Sequence, residues 1–146
     1  MKLYTIGFTK KSAEKFFDLL QTNGIQRAID IRLHPNSQLA GFTKQDDMTY
    51  FLAHLLDCEY SHMGVLAPTK EILSDYRRHH NWARYAERFE ALMDQRNVPR
   101  CLDISVFEQK TCCLLCSEAS PDKCHRRLVA ERLARHWPGL EVVDLQ

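Results

Sequence analysis

The chain has 146 residues, a formal net charge of +1 and 45% hydrophobic residues. That length fits one ordinary domain whose core needs no staples, and the balanced composition excludes disorder and fibrous repeats. Near-zero net charge also argues against a protein built mainly to coat nucleic acid.

Leu3 to Ile6 alternates and stops at Gly7, which predicts a short strand. Ser12 then caps a helix whose apolar stripe is Ala13, Phe16, Phe17 and Leu20, with Gly24 as its stop. A second strand is expected over Ile25 to Ile31. Strand, helix and strand within about 30 residues make a parallel, right-handed βαβ unit. The loop from Leu33 to Phe42 is long for such a connection, and long ordered loops tend to be functional. Met48, Phe51, Leu52 and Leu55 mark a second helix, and Tyr60 to Met63 a short strand before Gly64. Ile72, Leu73 and Tyr76 suggest a helical turn or two. Trp82, Tyr85, Ala86, Phe89, Leu92 and Met93 follow the helical period, so Trp82 and Tyr85 read first as core. Residues 100–108 fit helix and strand equally. Thr111 to Ser117 reads as a buried strand. Ser120-Pro121 reads as the start of a helix that runs to Trp137, and Leu140 to Leu145 as a last strand.

This alternation predicts a single α/β domain over residues 1–146. Its mainly parallel sheet would carry helices on both faces in a Rossmann-like three-layer arrangement. Ligands in such folds sit beyond the carboxyl ends of the strands. Four segments are expected there: the loop after Ile6, Asp30–Arg32, the turn at Gly64, and Cys116–Arg126. Met1-Lys2 leads straight into a strand-like run, and no stretch is long and apolar enough for a leader or a membrane span. The expected compartment is the cytoplasm, where six cysteines do not imply three disulfides.

Four of those cysteines, Cys112, Cys113, Cys116 and Cys124, crowd into thirteen residues. Cys113-Leu-Leu-Cys116 followed by Cys124-His125 invites a zinc knuckle. Strand geometry argues against it, because positions three apart on a strand face opposite sides. No metal is therefore expected, and Cys58, Cys101, Cys112 and Cys113 read as small core residues. Cys116, Glu118, Cys124, His125 and Arg126 form a better constellation. Cys124, in the first turn of its expected helix, would be the activated thiol or a metal-assisting ligand, with Cys116 as the second choice. Glu118 would act as general acid or base, His125 would be a further catalytic group, and Arg126 suits an anion. The plainer alternatives are a core cysteine, a carboxylate paired to Arg126 or Arg127, and a histidine satisfied by a carbonyl. Asp30 and Arg32 flank Ile31 and share a side; they are either an acid–base and anion-binding pair or a salt bridge anchoring the next loop. Two segments, 76–88 and 123–136, carry clustered Arg, Lys and His that an anion could use.

The motifs in order are Thr5-Ile6-Gly7, Asp30-Ile31-Arg32, Pro35, Ser37 and Phe42, Leu114-Leu115-Cys116-Ser117-Glu118, Pro121, and Cys124-His125-Arg126. The set resembles the bacterial and archaeal domain-of-unknown-function 488 family over nearly the whole chain. Its closing Leu-Leu-Cys-x-Glu and Cys-His-Arg pair is the specific part. The chain departs from the pattern at Phe8, where the family more often has His, and at Ile31, where it more often has Val. The resemblance implies an α/β domain whose polar motifs gather at one site, here Asp30, Arg32, Cys116, Glu118, Cys124, His125 and Arg126. It implies no reaction. The expected function is therefore an enzyme or ligand-binding domain for a small anionic, phosphorylated or nucleotide-like molecule. The catalytic set would be Cys124, Glu118, His125 and Asp30; Arg32, Arg126 and Cys116 would hold the anion. The alternatives are a nucleic-acid-binding module and a metal-supported structural domain. The sequence names no cofactor.

Overall fold

A computed structural model describes residues 1–36, 41–118 and 120–146. Ser37 of the motif set lies outside the described residues. The described strands are β1 (Lys2–Gly7), β2 (Arg27–Asp30), β3 (Glu59–His62), β4 (Cys112–Cys116) and β5 (Glu141–Leu145). The described helices are α1 (Ala13–Thr22), α2 (Gln45–Leu56), α3 (Lys70–His79), α4 (Trp82–Gln95), a single turn α5 (Ser105–Glu108) and α6 (His125–His136). All strand pairings are parallel, in the order β3-β2-β4-β1-β5.

The order explains where the helices go. From β1 the chain moves one way along the sheet, to β2 and then β3; it then returns to β4 and passes over β1 to β5. Right-handed crossovers put the outgoing helices on one face and the returning ones on the other. Phe16, Phe17 and Leu20 of α1, with Met48 and Leu52 of α2, accordingly pack on Ile6, Ala28, Cys113 and Leu115. Tyr85, Phe89 and Met93 of α4, with Leu128, Val129 and Leu133 of α6, pack on Leu3, Ile29, Leu114 and Cys116. This is the expected three-layer α/β fold. Each fully buried side chain of this size contributes about 1.5–3 kcal/mol. All five residues of β4 are buried, as a central parallel strand requires.

Local signals explain most boundaries. Ser12 accepts from the Lys15 N–H as N-cap of α1, and Gly24 takes a φ of +65° just past its end. Thr69 caps α3 and Asn81 caps α4 in the same way. α3 runs for ten residues rather than a turn or two, because its outer face is polar and hides it from an apolar-period reading. β2 is shorter than expected. Ile31 and Arg32 already leave the sheet, although the Ile31 N–H still donates to the Leu115 carbonyl at 3.1 Å. The last helix begins at His125, not at Pro121. Pro121 instead opens a turn closed by the Cys124 N–H on the Pro121 carbonyl, and Cys124 is the extended N-cap residue. No described helix is long and apolar enough to cross a membrane.

β4 is flanked by β1 and β2, whose chains leave towards one face, while β4 itself leaves towards the other. The carboxyl end of β4 is thus a topological switch point, where loops diverge and leave a crevice.

Candidate functional site

A cavity of about 170 Å³ opens at that switch point. Cys116 ends β4 on its floor, beside Cys124 and His125 at the start of α6. All three are buried. Phe8, Arg32, Tyr76 and Tyr85 also line it, together with the exposed side chains of His34, Arg77, Glu118 and Lys123. A larger depression of about 620 Å³ lies at the amino ends of the strands, around Lys2, Gln26 and Lys110. Neither thiol nor imidazole lines it.

His125 is oriented by the backbone. Its Nε2 lies 2.7 Å from the Ile31 carbonyl oxygen. A carbonyl only accepts, so Nε2 carries the proton and Nδ1 of the neutral ring presents a lone pair. That Nδ1 lies 3.6 Å from Cys116 Sγ. The sulfur of Cys124 joins them, and the three donor atoms all lie within 4.8 Å of one another. The hydrogen bond from Cys124, the Ser117 backbone N–H and the Arg126 charge hold the Cys116 thiol below its ordinary range despite burial. Burial and the neighbouring Cys116 push Cys124 well above it.

Strand alternation separates the other thiols. Cys112, Leu114 and Cys116 lie in one core and Cys113 and Leu115 in the other, so Cys113 and Cys116 occupy opposite faces of β4. Burial pushes the Cys58 thiol up to about 11 and Cys113 well above its ordinary value. Cys101 is exposed.

Asp30 and Arg32 form the salt bridge that the sequence offered as one alternative. Arg32 Nε donates to both carboxylate oxygens, at 2.9 and 3.1 Å, and Nη2 donates to Oδ2 at 2.7 Å. The Arg32 N–H and the Tyr60 hydroxyl donate to the same carboxylate, at 3.1 and 2.5 Å. Asp30 is fully buried and does not line the cavity. Arg32 Nη2 also donates to the Thr43 carbonyl at 2.7 Å, which ties down the far end of the loop. Nη1 takes part in none of these bonds. The guanidinium lies 5.1 Å from the Phe8 ring centroid, a cation–π contact that supports Arg32.

Arg126 is also buried and lies behind the cavity rather than along it. Nη1 donates to the Glu118 carbonyl at 2.5 Å, while Nε and Nη2 reach Asp144 at 3.3 Å. The Glu118 carbonyl passes over Gly7. A Cβ there would overlap that carbonyl and sit 2.7 Å from Arg126 Nη1. Gly7 is needed for close approach, which gives the Thr-Ile-Gly opening a physical reason.

The model of the family described as Domain of unknown function DUF488 matches residues 12–133. The chain belongs to that family. No curated protein and no solved structure matches it. The DUF488 segment spans α1 to most of α6 and contains every cavity-lining residue except Phe8.

Among the expected site residues of this DUF488 chain, Arg32, Cys116, Glu118, Cys124 and His125 line the cavity, whereas Asp30 and Arg126 support it from behind. The turn at Gly64 is not part of it. Tyr76, Arg77, Tyr85 and Lys123 are additions, signalled in sequence only by the two basic segments and the aromatic run. Tyr85 serves both as core and as wall, stacking on Phe89 at 6.1 Å, which in turn packs against His125 at 5.6 Å. The basic segments themselves are largely spent on ion pairs. Arg84 and Arg88 meet Asp75, Arg127 meets Glu131, and Arg132 and Arg135 meet Glu90. Among the described residues of these segments, Arg77, Arg78 and Lys123 have no ion-pair partner, and of these Arg77 and Lys123 line the cavity.

Proposed function

We propose that this DUF488 protein binds a small anionic molecule, phosphorylated or nucleotide-like, at the switch-point cavity and acts on it through Cys116, Cys124 and His125. The observation that carries this reading is the meeting of Arg77 and Lys123, from two basic segments far apart in sequence, at one thiol- and imidazole-floored cavity. In this reading Arg32, through Nη1, shares the anion with Arg77 and Lys123. Glu118 moves protons at the mouth. Asp30 acts by fixing the Arg32 fork, and Arg126 by fixing the Glu118 carbonyl. The consumption of Arg84, Arg88, Arg126, Arg127, Arg132 and Arg135 of the two basic segments in ion pairs disfavours an extended nucleic-acid surface there.

Calorimetric titration of the reduced protein with inorganic phosphate and with a nucleoside monophosphate tests the reading. A unit charge at 4 Å in water is worth about 1 kcal/mol, so Arg77→Ala and Lys123→Ala should each weaken binding roughly fivefold. Absence of binding by either probe, or binding indifferent to both substitutions, rejects it. A steep loss of affinity for single-stranded DNA or RNA with added salt, at higher affinity than either small probe, would favour the nucleic-acid alternative instead.

A further inference from the structure

We infer that Cys116, Cys124 and His125 form a three-ligand site for a thiophilic divalent metal ion, of which zinc is the type, with a fourth coordination position facing the cavity. The inference rests on the reading of that cavity as the ligand site and names what its floor would hold.

Three observations carry it. The first is distance. Tetrahedral zinc, with Zn–S of about 2.3 Å and Zn–N of about 2.0–2.1 Å, sets S···N at about 3.5 Å and S···S at about 3.8 Å. Cys116 Sγ and His125 Nδ1 are 3.6 Å apart, and all three donor atoms fall within 4.8 Å of one another. The second is the outer shell. A metal-bound imidazole characteristically donates its other N–H to a carbonyl or carboxylate, which fixes its tautomer and orientation. His125 Nε2 already does so to Ile31, which leaves Nδ1 as the ring's free donor atom; Cys116 Sγ lies beside the ring, 3.6 Å from Nδ1 and 3.9 Å from Nε2. The third is the route. All three residues are buried, yet all three line the open cavity, so an ion reaches them through it.

The ligand set differs from the knuckle that the sequence suggested. Cys113 faces the opposite core and takes no part. Three protein ligands, two of them soft thiolates, leave one position for water or an anion, the pattern of catalytic rather than closed structural zinc. Binding releases the two thiol protons. A water on the ion would then lie beside the anion held by Arg32, Arg77 and Lys123, and Lewis-acid activation of that water is the chemistry such a centre supplies.

The test is anaerobic titration of the reduced full-length protein with cobalt(II), then zinc. The expected result is one equivalent bound, with thiolate-to-cobalt charge-transfer absorption and the intense visible bands of four-coordinate cobalt. Cys116→Ser and Cys124→Ser should each lose that thiolate's share of the charge-transfer band, and Cys101→Ser none of it. Inorganic phosphate should shift the visible bands. On the wild-type protein, which sidesteps any folding defect, zinc should protect Cys116 and Cys124 from alkylation and leave Cys101 reactive. Absence of stoichiometric uptake, or uptake indifferent to both Cys→Ser changes, overturns the metal site. Bands unmoved by phosphate overturn its open position. If calorimetry still detects phosphate in a protein that takes no metal, only this inference fails; if neither binds, the reading of the cavity falls with it.

Discussion

His125 Nε2 donates to the Ile31 carbonyl across 2.7 Å, joining the first turn of α6 to the end of β2. The bond does two jobs. It satisfies a carbonyl that has left the sheet, and it holds the ring beside Cys116 Sγ, 3.6 Å from Nδ1 and 3.9 Å from Nε2. His125→Ala therefore leaves a buried acceptor without its donor. We expect a loss of about 1–3 kcal/mol in urea unfolding, beyond any effect on the site. An unchanged unfolding midpoint would show that water replaces the imidazole at no cost.

Asp30 and Arg32 are a buried pair, with side chains 0% and 7% exposed. Asp30→Ala strands the guanidinium and unties the loop at Thr43. Breaking one partner of such a pair costs about 3–5 kcal/mol. Arg32→Lys should not rescue it, since an ammonium cannot reproduce the fork. The check is the unfolding free energy of both variants, with phosphate affinity as a second readout. Wild-type stability in Asp30→Ala would remove the positioning role assigned to Asp30.

Gly7 admits the Glu118 carbonyl over β1. Gly7→Ala forces the β4–α6 connection outward and dislodges the carbonyl from Arg126. Overpacking of this kind costs about 1–3 kcal/mol. Binding of phosphate should weaken as well, because the same connection carries Glu118 and Lys123 to the cavity. A stable Gly7→Ala protein with intact binding would separate the Thr-Ile-Gly motif from the site.

Stability should fall at alkaline pH. Burial raises the Cys58 thiol from its ordinary value near 9 to about 11, so between these values the folded state keeps a proton that the unfolded chain has lost. That stability is fully present below the unfolded value and is lost as pH rises through about 11. Urea midpoints across this window should decline less steeply in Cys58→Ala. Equal slopes in the two proteins would contradict the assignment.

The layers and most elements were legible in the sequence because their signals are local. Ser12 caps, Gly24 stops, and the Cys112–Cys116 run is apolar on both faces. The α6 boundary was not, because Ser120-Pro121 suits a turn as well as a helix start, and the turn prevails. The placing of β4 between β1 and β2 was also out of reach, since each pairing joins strands far apart in the chain. The site inherits that limit. Cys116, Cys124 and His125 are near in sequence, so their local sequence already groups them. The meeting of Arg77 with Lys123 depends on α3 facing the β4–α6 connection, and their local sequence says only that both regions are basic.

The most direct test of the central claim is a crystal structure of the reduced protein grown with tungstate, an anomalous scatterer that stands in for phosphate. The expected result is one anomalous peak in the cavity, within hydrogen-bond reach of Arg32 Nη1, Arg77 and Lys123 and next to the Cys116–Cys124–His125 cluster. A cavity holding only water, with the anion bound elsewhere or not at all, would contradict it.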